Sequence, residues 1–158
     1  MKRHPNLHFS ILVASLVTLA IVGFAAAQSA PRVMSGDLVA DRQRLMKLNG
    51  ASWADAQAKF KAGNIEAIAV NAETMAVMAS HIPALFPQGS LTDKSNAKPE
   101  IWEKRAEFES AAKNLQTWAE KLRDTAKTKD AAATEAIVKD FGRQACAACH
   151  TPFRKPLQ

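Results

Sequence analysis

Residues 140–156 read DFGRQACAACHTPFRKP. They hold both cysteines of the chain, Cys146 and Cys149, with His150 directly after them. C-x-x-C-H is the spacing of c-type haem attachment. On a helix, Cys146 and Cys149 stand three residues apart and share a side, and His150, four from Cys146, shares it too. Two thiols so placed can add across the two vinyl groups of one haem, while the imidazole holds the iron. The competing readings are weaker. A zinc site needs further ligands, and no third cysteine exists. A thioredoxin-like C-x-x-C needs a βαβ context, which the pattern lacks. A disulfide between the two would close a tiny loop and constrain little of the unfolded chain. The expected cofactor is one covalently attached haem c.

Upstream of this stretch the pattern is helical. No strand alternation and no hairpin signal occur. Helix one is expected from about Gly36 to Ala62, with Val39, Met46, Trp53 and Phe60 on one stripe, seven apart. Gly50 lies inside it and suggests a kink or a close packing contact. Gly63-Asn64 ends it. Helix two is expected from Ile65 to Ile82, with Ile65, Ile68, Ala72, Met75, Ala79 and Ile82 alternating three and four apart. Pro83 stops it, and residues 83–98 form the longest connection. Pro99 opens helix three, which carries Ile101, Phe108, Leu115 and Leu122 seven apart. Helix four runs from Ala131 towards Phe153, with Val138, Phe141, Ala145 and Ala148 as its seam. Four amphipathic helices with such connections predict an all-α, antiparallel up-down-up-down four-helix bundle enclosing the haem. The seams are rich in alanine, which leaves room for a large flat guest.

The first residues belong to a different element. Lys2 and Arg3 precede an apolar run from Phe9 to Val22, and Ala25-Ala26-Ala27 offers a cleavage site. Residues 1–27 are therefore expected to be a cleaved signal peptide, leaving one domain over 28–158 in the periplasm. The apolar run is short for a membrane span; the alternative is an uncleaved N-terminal anchor, and after cleavage no stable membrane insertion is expected. The net charge is +6 at pH 7, and loss of Lys2 and Arg3 leaves +4. The excess is spread along the chain without interleaved aromatics, which argues against nucleic acid as a partner. A basic rim could steer an acidic redox protein.

What the haem does depends on the other face of its iron. A filled sixth position makes an electron carrier, and an empty one makes a site for small gases. The side chains that could fill it are Met34, Met46, Met75, Met78 and His81. Met75 reads as core, Met78 as a flank residue and His81 as solvated or capping. Met46 lies on the helix-one stripe, and Arg42, one turn before it, suits a haem propionate.

The chain resembles the class II c-type cytochromes, the cytochrome c-prime family. The resemblance covers about residues 34–156. It rests on the C-terminal CAACHTPFRK at 146–155, on DRQRLMKLNG at 41–50, on LFPQGS at 85–90 and on KPEIW at 98–102. It implies a four-helix bundle with haem near the C-terminus, Phe153-Arg154 after the attachment histidine, and Arg42 four residues before the distal residue, Met46. In the family's high-spin branch the distal residue is a non-ligating Leu, Phe or similar, and nitric oxide or carbon monoxide binds. In its low-spin branch a methionine there holds the iron. Met46 thus implies the low-spin branch: a periplasmic one-electron carrier with His150 and Met46 as axial ligands, not an enzyme. Arg42 and Arg154 are the expected propionate or haem-edge partners. The alternative is a five-coordinate protein that binds nitric oxide or carbon monoxide. The family also implies a possible homodimer through the first two helices.

Overall fold

The computed structural model describes residues 35–156. The expected signal peptide and Met34 lie outside the described residues. Four long helical elements occur: α1 (Leu38–Lys61), α2 (Ile68–His81), α4 (Arg105–Lys127) and a composite C-terminal helix. That last element is α5 (Ala131–Phe141), a π-helical stretch (Gly142–Ala147) and α6 (Ala148–Phe153). A 3-10 turn (Pro83–Leu85) and a single helical turn, α3 (Glu100–Glu103), lie in the long connection. No strand is present among the described residues.

Side-chain pairs give the directions. Asn71 bonds Asp55 and Lys59, while Arg42 bonds Leu85, so α2 returns along α1. Arg123 meets Glu73, and Arg105 meets Pro83, so α4 returns along α2. Phe108 packs on Phe153, and Asn114 donates to the Gln144 carbonyl, so the C-terminal helix returns along α4. The result is the expected antiparallel four-helix bundle.

Capping follows the sequence. The Asp37 carboxylate accepts from the Val39 and Ala40 N–H groups at 2.9 and 3.1 Å and starts α1. Gly63, at φ +74°, ends it in a conformation that glycine adopts without strain. All six expected seam residues of α2 are buried, although the helix itself begins at Ile68 and Ile65 packs from the preceding turn. Ile101, Phe108, Leu115 and Leu122 are buried as their spacing predicts.

Four expectations need correction. The third helix is broken at Lys104, whose φ of −116° and ψ of 49° are not helical. The break accompanies two ties to the preceding loop: Trp102 Nε1 donates to the Pro87 carbonyl, and Arg105 donates to the Phe86 and Pro83 carbonyls. Gly50 makes no close contact. α1 continues unbroken through it, and an added Cβ would meet nothing within 4 Å. On α1, the expected stripe of Met46, Trp53 and Phe60 is only partly buried, and the innermost line is Arg42, Asn49 and Ala56. The fourth helix is not uniform, and Ala148 is exposed while Val138 is only partly covered. Its inward line is Ile137, Phe141, Ala145, Cys149 and Phe153, four residues apart throughout. In an α-helix that spacing drifts by about 40° at each step. The wider π turn offsets the drift and carries the line on to Cys149 and Phe153.

Candidate haem site

The C-terminal helix forms one wall of the site. Cys146 lies near the end of the π turn, and Cys149 and His150 lie on α6. Asn114 on α4 donates to the Gln144 carbonyl, a backbone acceptor within the widened turn. Beyond His150 the chain is strapped down. Lys98 N–H donates to the Phe153 carbonyl at 3.0 Å, and Lys155 N–H to the Asn96 carbonyl at 2.8 Å. Lys98 Nζ adds a bond to the Thr151 carbonyl at 3.0 Å. The Phe153 ring is buried edge-on against Phe108, centroids 5.4 Å apart. These ties hold α6 against the 96–98 segment and α4.

Both thiols are free, and burial raises their pKa, that of Cys149 to about 11 with help from neighbouring Cys146. They stay protonated in neutral solution. Burial, then the charge of Arg154, lowers the pKa of His150. Its imidazole is thus kept neutral, the form that binds a metal.

α1 forms the facing wall. Met46, Asn49, Gly50 and Trp53 line it, and Trp53 stacks on Phe141 with centroids 4.5 Å apart and planes 22° from parallel. Arg42 is 5% exposed. Its Nε donates to the Leu85 carbonyl at 2.8 Å, one terminal nitrogen to the Ser90 carbonyl at 3.1 Å, and the other to Ser90 Oγ. Its guanidinium lies 4.2 Å from the centre of the Phe86 ring. Arg42 therefore anchors the 85–90 loop at the rim, with N–H groups still unused on its terminal nitrogens.

Between the walls lies a cavity of two lobes, about 230 and 240 Å³. The lobes share Met46, Ile82, Cys149 and His150 as lining. The first is rimmed by Arg42, Lys47 and Arg154, and the second by apolar groups and Cys146. The residues present fit a haem. The two thiols, the neutral imidazole and a thioether border one mostly apolar space. Gly50 leaves open the volume that a side chain would take. The buried Asn49 Oδ1 finds no hydrogen-bond partner among the described residues.

The structure thus brings together Cys146, Cys149, His150, Met46, Arg42 and Arg154, although they come from opposite ends of the chain. Among the other methionines, Met75 is core and also borders the second lobe, and Met78 is partly exposed. His81 is exposed, with Nδ1 2.8 Å from the Val77 carbonyl, away from the site. Asn49, the Trp53–Phe141 stack and the strap at 96–98 were missed from the sequence. The seven-residue step from Arg42 to Asn49 to Ala56 was a signal that could have found Asn49.

A helical bundle with C-x-x-C-H on its last helix, facing a cavity, defines a c-type haem protein, and comparison narrows the class. Residues 37–154 match the family described as Cytochrome C'. The chain is 32% identical over 146 residues to a cytochrome c' of Rhodopseudomonas palustris, covering 90% of this chain and 92% of that one. It is 35% identical over 88 residues to cytochrome c-554 of Cereibacter sphaeroides, covering 53% of this chain; the match spans only 56% of that relative's length. A solved nitric oxide complex of a variant cytochrome c prime from Alcaligenes xylosoxidans superposes with a TM-score of 0.68 at 27% identity, covering 77% of this chain and 95% of that one. The chain belongs to the cytochrome c' family of class II c-type cytochromes, and its cofactor is covalently bound haem c.

Proposed function

We propose that this protein is a periplasmic one-electron carrier in which His150 and Met46 hold the two faces of the haem iron. The observation that carries this reading is that Met46 on α1 and His150 on α6 border both lobes of one cavity. Haem c supplies the one-electron chemistry of its iron. The sulfurs of Cys146 and Cys149 would fasten the group, and the neutral His150 imidazole would offer its lone pair to the metal. A Met46 thioether as the second protein ligand would favour the reduced state and raise the potential relative to a second histidine. Leu115, Phe141, Phe108 and Ile82 exclude water from the cavity. Arg154, and the N–H groups that Arg42 has to spare, would offset propionate charge at the rim. Lys47 and Lys155 add a basic edge for an acidic redox partner.

Absorption spectra of the ferrous protein with and without carbon monoxide test the reading. The native protein should be low-spin and slow to bind carbon monoxide, and Met46→Ala should be high-spin and bind it rapidly. Rapid binding by the native protein would remove the six-coordinate claim, and a low-spin Met46→Ala would remove Met46 as the ligand.

A second reading has a specific observation behind it. The Alcaligenes xylosoxidans relative is a cytochrome c prime whose variant holds nitric oxide. On that reading the protein binds nitric oxide or carbon monoxide, with Met46 absent from the iron or displaced from it. The relatives support this second reading more directly; the position of Met46 supports the first.

Export rests on the expected signal peptide at residues 1–27, and mass spectrometry of the mature chain should find Gln28 at its start. No helix among the described residues is long and apolar enough to cross a membrane. Leu48 on α1 and Val70 and Val77 on α2 are at least half exposed, which supports a homodimer through these helices. Sedimentation of the native protein and of Val70→Lys tests that.

A further inference from the structure

Arg42, Asn49 and Ala56 make the innermost line of α1. Arg42 is paired with loop oxygens. Asn49 is not accounted for in that way. It is 8% exposed, and Nδ2 donates to the Leu45 carbonyl one turn back at 3.2 Å. Oδ1 is buried and has no partner among the described residues. That single bond fixes the orientation of the amide. Turned over, Oδ1 would face the Leu45 oxygen, two acceptors with no proton between them.

Buried acceptors are nearly always paired, and asparagine is a poorer helix former than alanine or leucine. Neither packing nor helix propensity explains the choice. Asn49 borders the second lobe together with Met46, Gly50 and Trp53 from the same helix and with Cys146, Cys149 and His150 from the C-terminal helix. The positive end of its amide is offset by the Leu45 carbonyl, while no described residue bonds the negative end. In a mostly apolar space such a dipole end acts with little screening.

We propose that Asn49 is a redox-tuning residue of the haem site. Its uncompensated carbonyl favours the more positively charged ferric state and sets the reduction potential lower than the apolar walls alone would. The inference rests on the haem lying between α1 and the C-terminal helix. It does not require Met46 to be a ligand.

The test is a spectroelectrochemical titration of the haem-loaded Asn49→Leu protein beside the native one. At a fixed applied potential the ferrous-to-ferric ratio should rise by roughly threefold, as expected for removal of a partial charge at low dielectric. Its thermal midpoint should not fall, because an unpaired acceptor has been removed. Asn49→Asp should move the ratio in the opposite direction. If Asn49→Leu does not load haem, Asn49→Ala and Asn49→Asp decide by the same two signs. A loaded variant that titrates like the native protein, or shifts towards ferric on losing the carbonyl, overturns the proposal. So does a lower thermal midpoint with an unchanged potential, which would mark Asn49 as merely structural. Failure of the electron-carrier reading looks different: the native ferrous protein would bind carbon monoxide rapidly while the Asn49 shift persisted.

Discussion

Trp53 on α1 and Phe141 on α5 stack face to face, with ring centroids 4.5 Å apart. This contact joins the first and last helices beside the second lobe of the cavity. Phe141 is fully buried, whereas Trp53 keeps part of its surface at the cavity. Packing energy and site shape are therefore linked at this pair.

Phe141→Ala should destabilise the protein by about 3–5 kcal/mol, the usual cost of emptying a fully buried phenylalanine site. Thermal or urea unfolding of the haem-loaded protein measures it. A loss below about 1 kcal/mol would mean that the site collapses or that haem fills it.

Arg42→Lys should fail to replace arginine. One ammonium cannot reproduce the planar fork that reaches Leu85 and Ser90 together. The change should cost about 1–3 kcal/mol through carbonyls left unpaired. Limited proteolysis should show earlier cleavage within residues 85–94. Native-like resistance would mean that the loop is held by other contacts.

Asp41 gives the acid limb of the stability curve a traceable component. Its carboxylate accepts from the Ser35 N–H and Oγ and from Arg44, and the Ser35 backbone bond leads in lowering its pKa. Folding therefore favours the ionised form. As pH falls through the ordinary carboxylate range, near 3.8, the unfolded chain takes up the proton first. Stability present at neutral pH is lost there and on down to the folded-state pKa. Asp41→Asn should flatten this part of the curve when unfolding is followed between about pH 5 and 2. An unchanged acid limb would show that the carboxylate is not tied in solution.

Cys149, with its pKa near 11, should alkylate slowly in the chain prepared without haem. Against a free thiol of 9.0, roughly one-hundredth as much thiolate is present at pH 8. Iodoacetamide labelling followed by peptide mass spectrometry gives the rate. A rate equal to that of an unstructured cysteine peptide would mean that the C-terminal helix packs only around the haem.

Much of this protein could be read before its structure. Periodicity gave the four helices and the buried faces of α2 and α4, because a helix seam is a one-dimensional pattern of three- and four-residue steps. Cys146, Cys149 and His150 were legible for the same reason, since they lie within one turn and a half of helix. The internal breaks were less legible. Lys104 leaves the helical region where Trp102 and Arg105 reach carbonyls of a loop some 15 to 22 residues earlier. The π turn was visible only as a four-residue spacing from Ile137 to Phe153, which resembles an ordinary helix until its drift is followed.

The sequence by itself determined the class of fold and the cofactor, because the helix seams and the C-x-x-C-H spacing depend on neighbours close along the chain. The tertiary structure decided what faces that cofactor. It brought Met46 and His150 to the lining of one cavity across about a hundred residues of chain, turned most of Arg42 towards a loop, and buried the Asn49 carbonyl with no partner among the described residues. Those relationships follow from how one helix packs against another, and side-chain orientation between helices is not written in the spacing along either one.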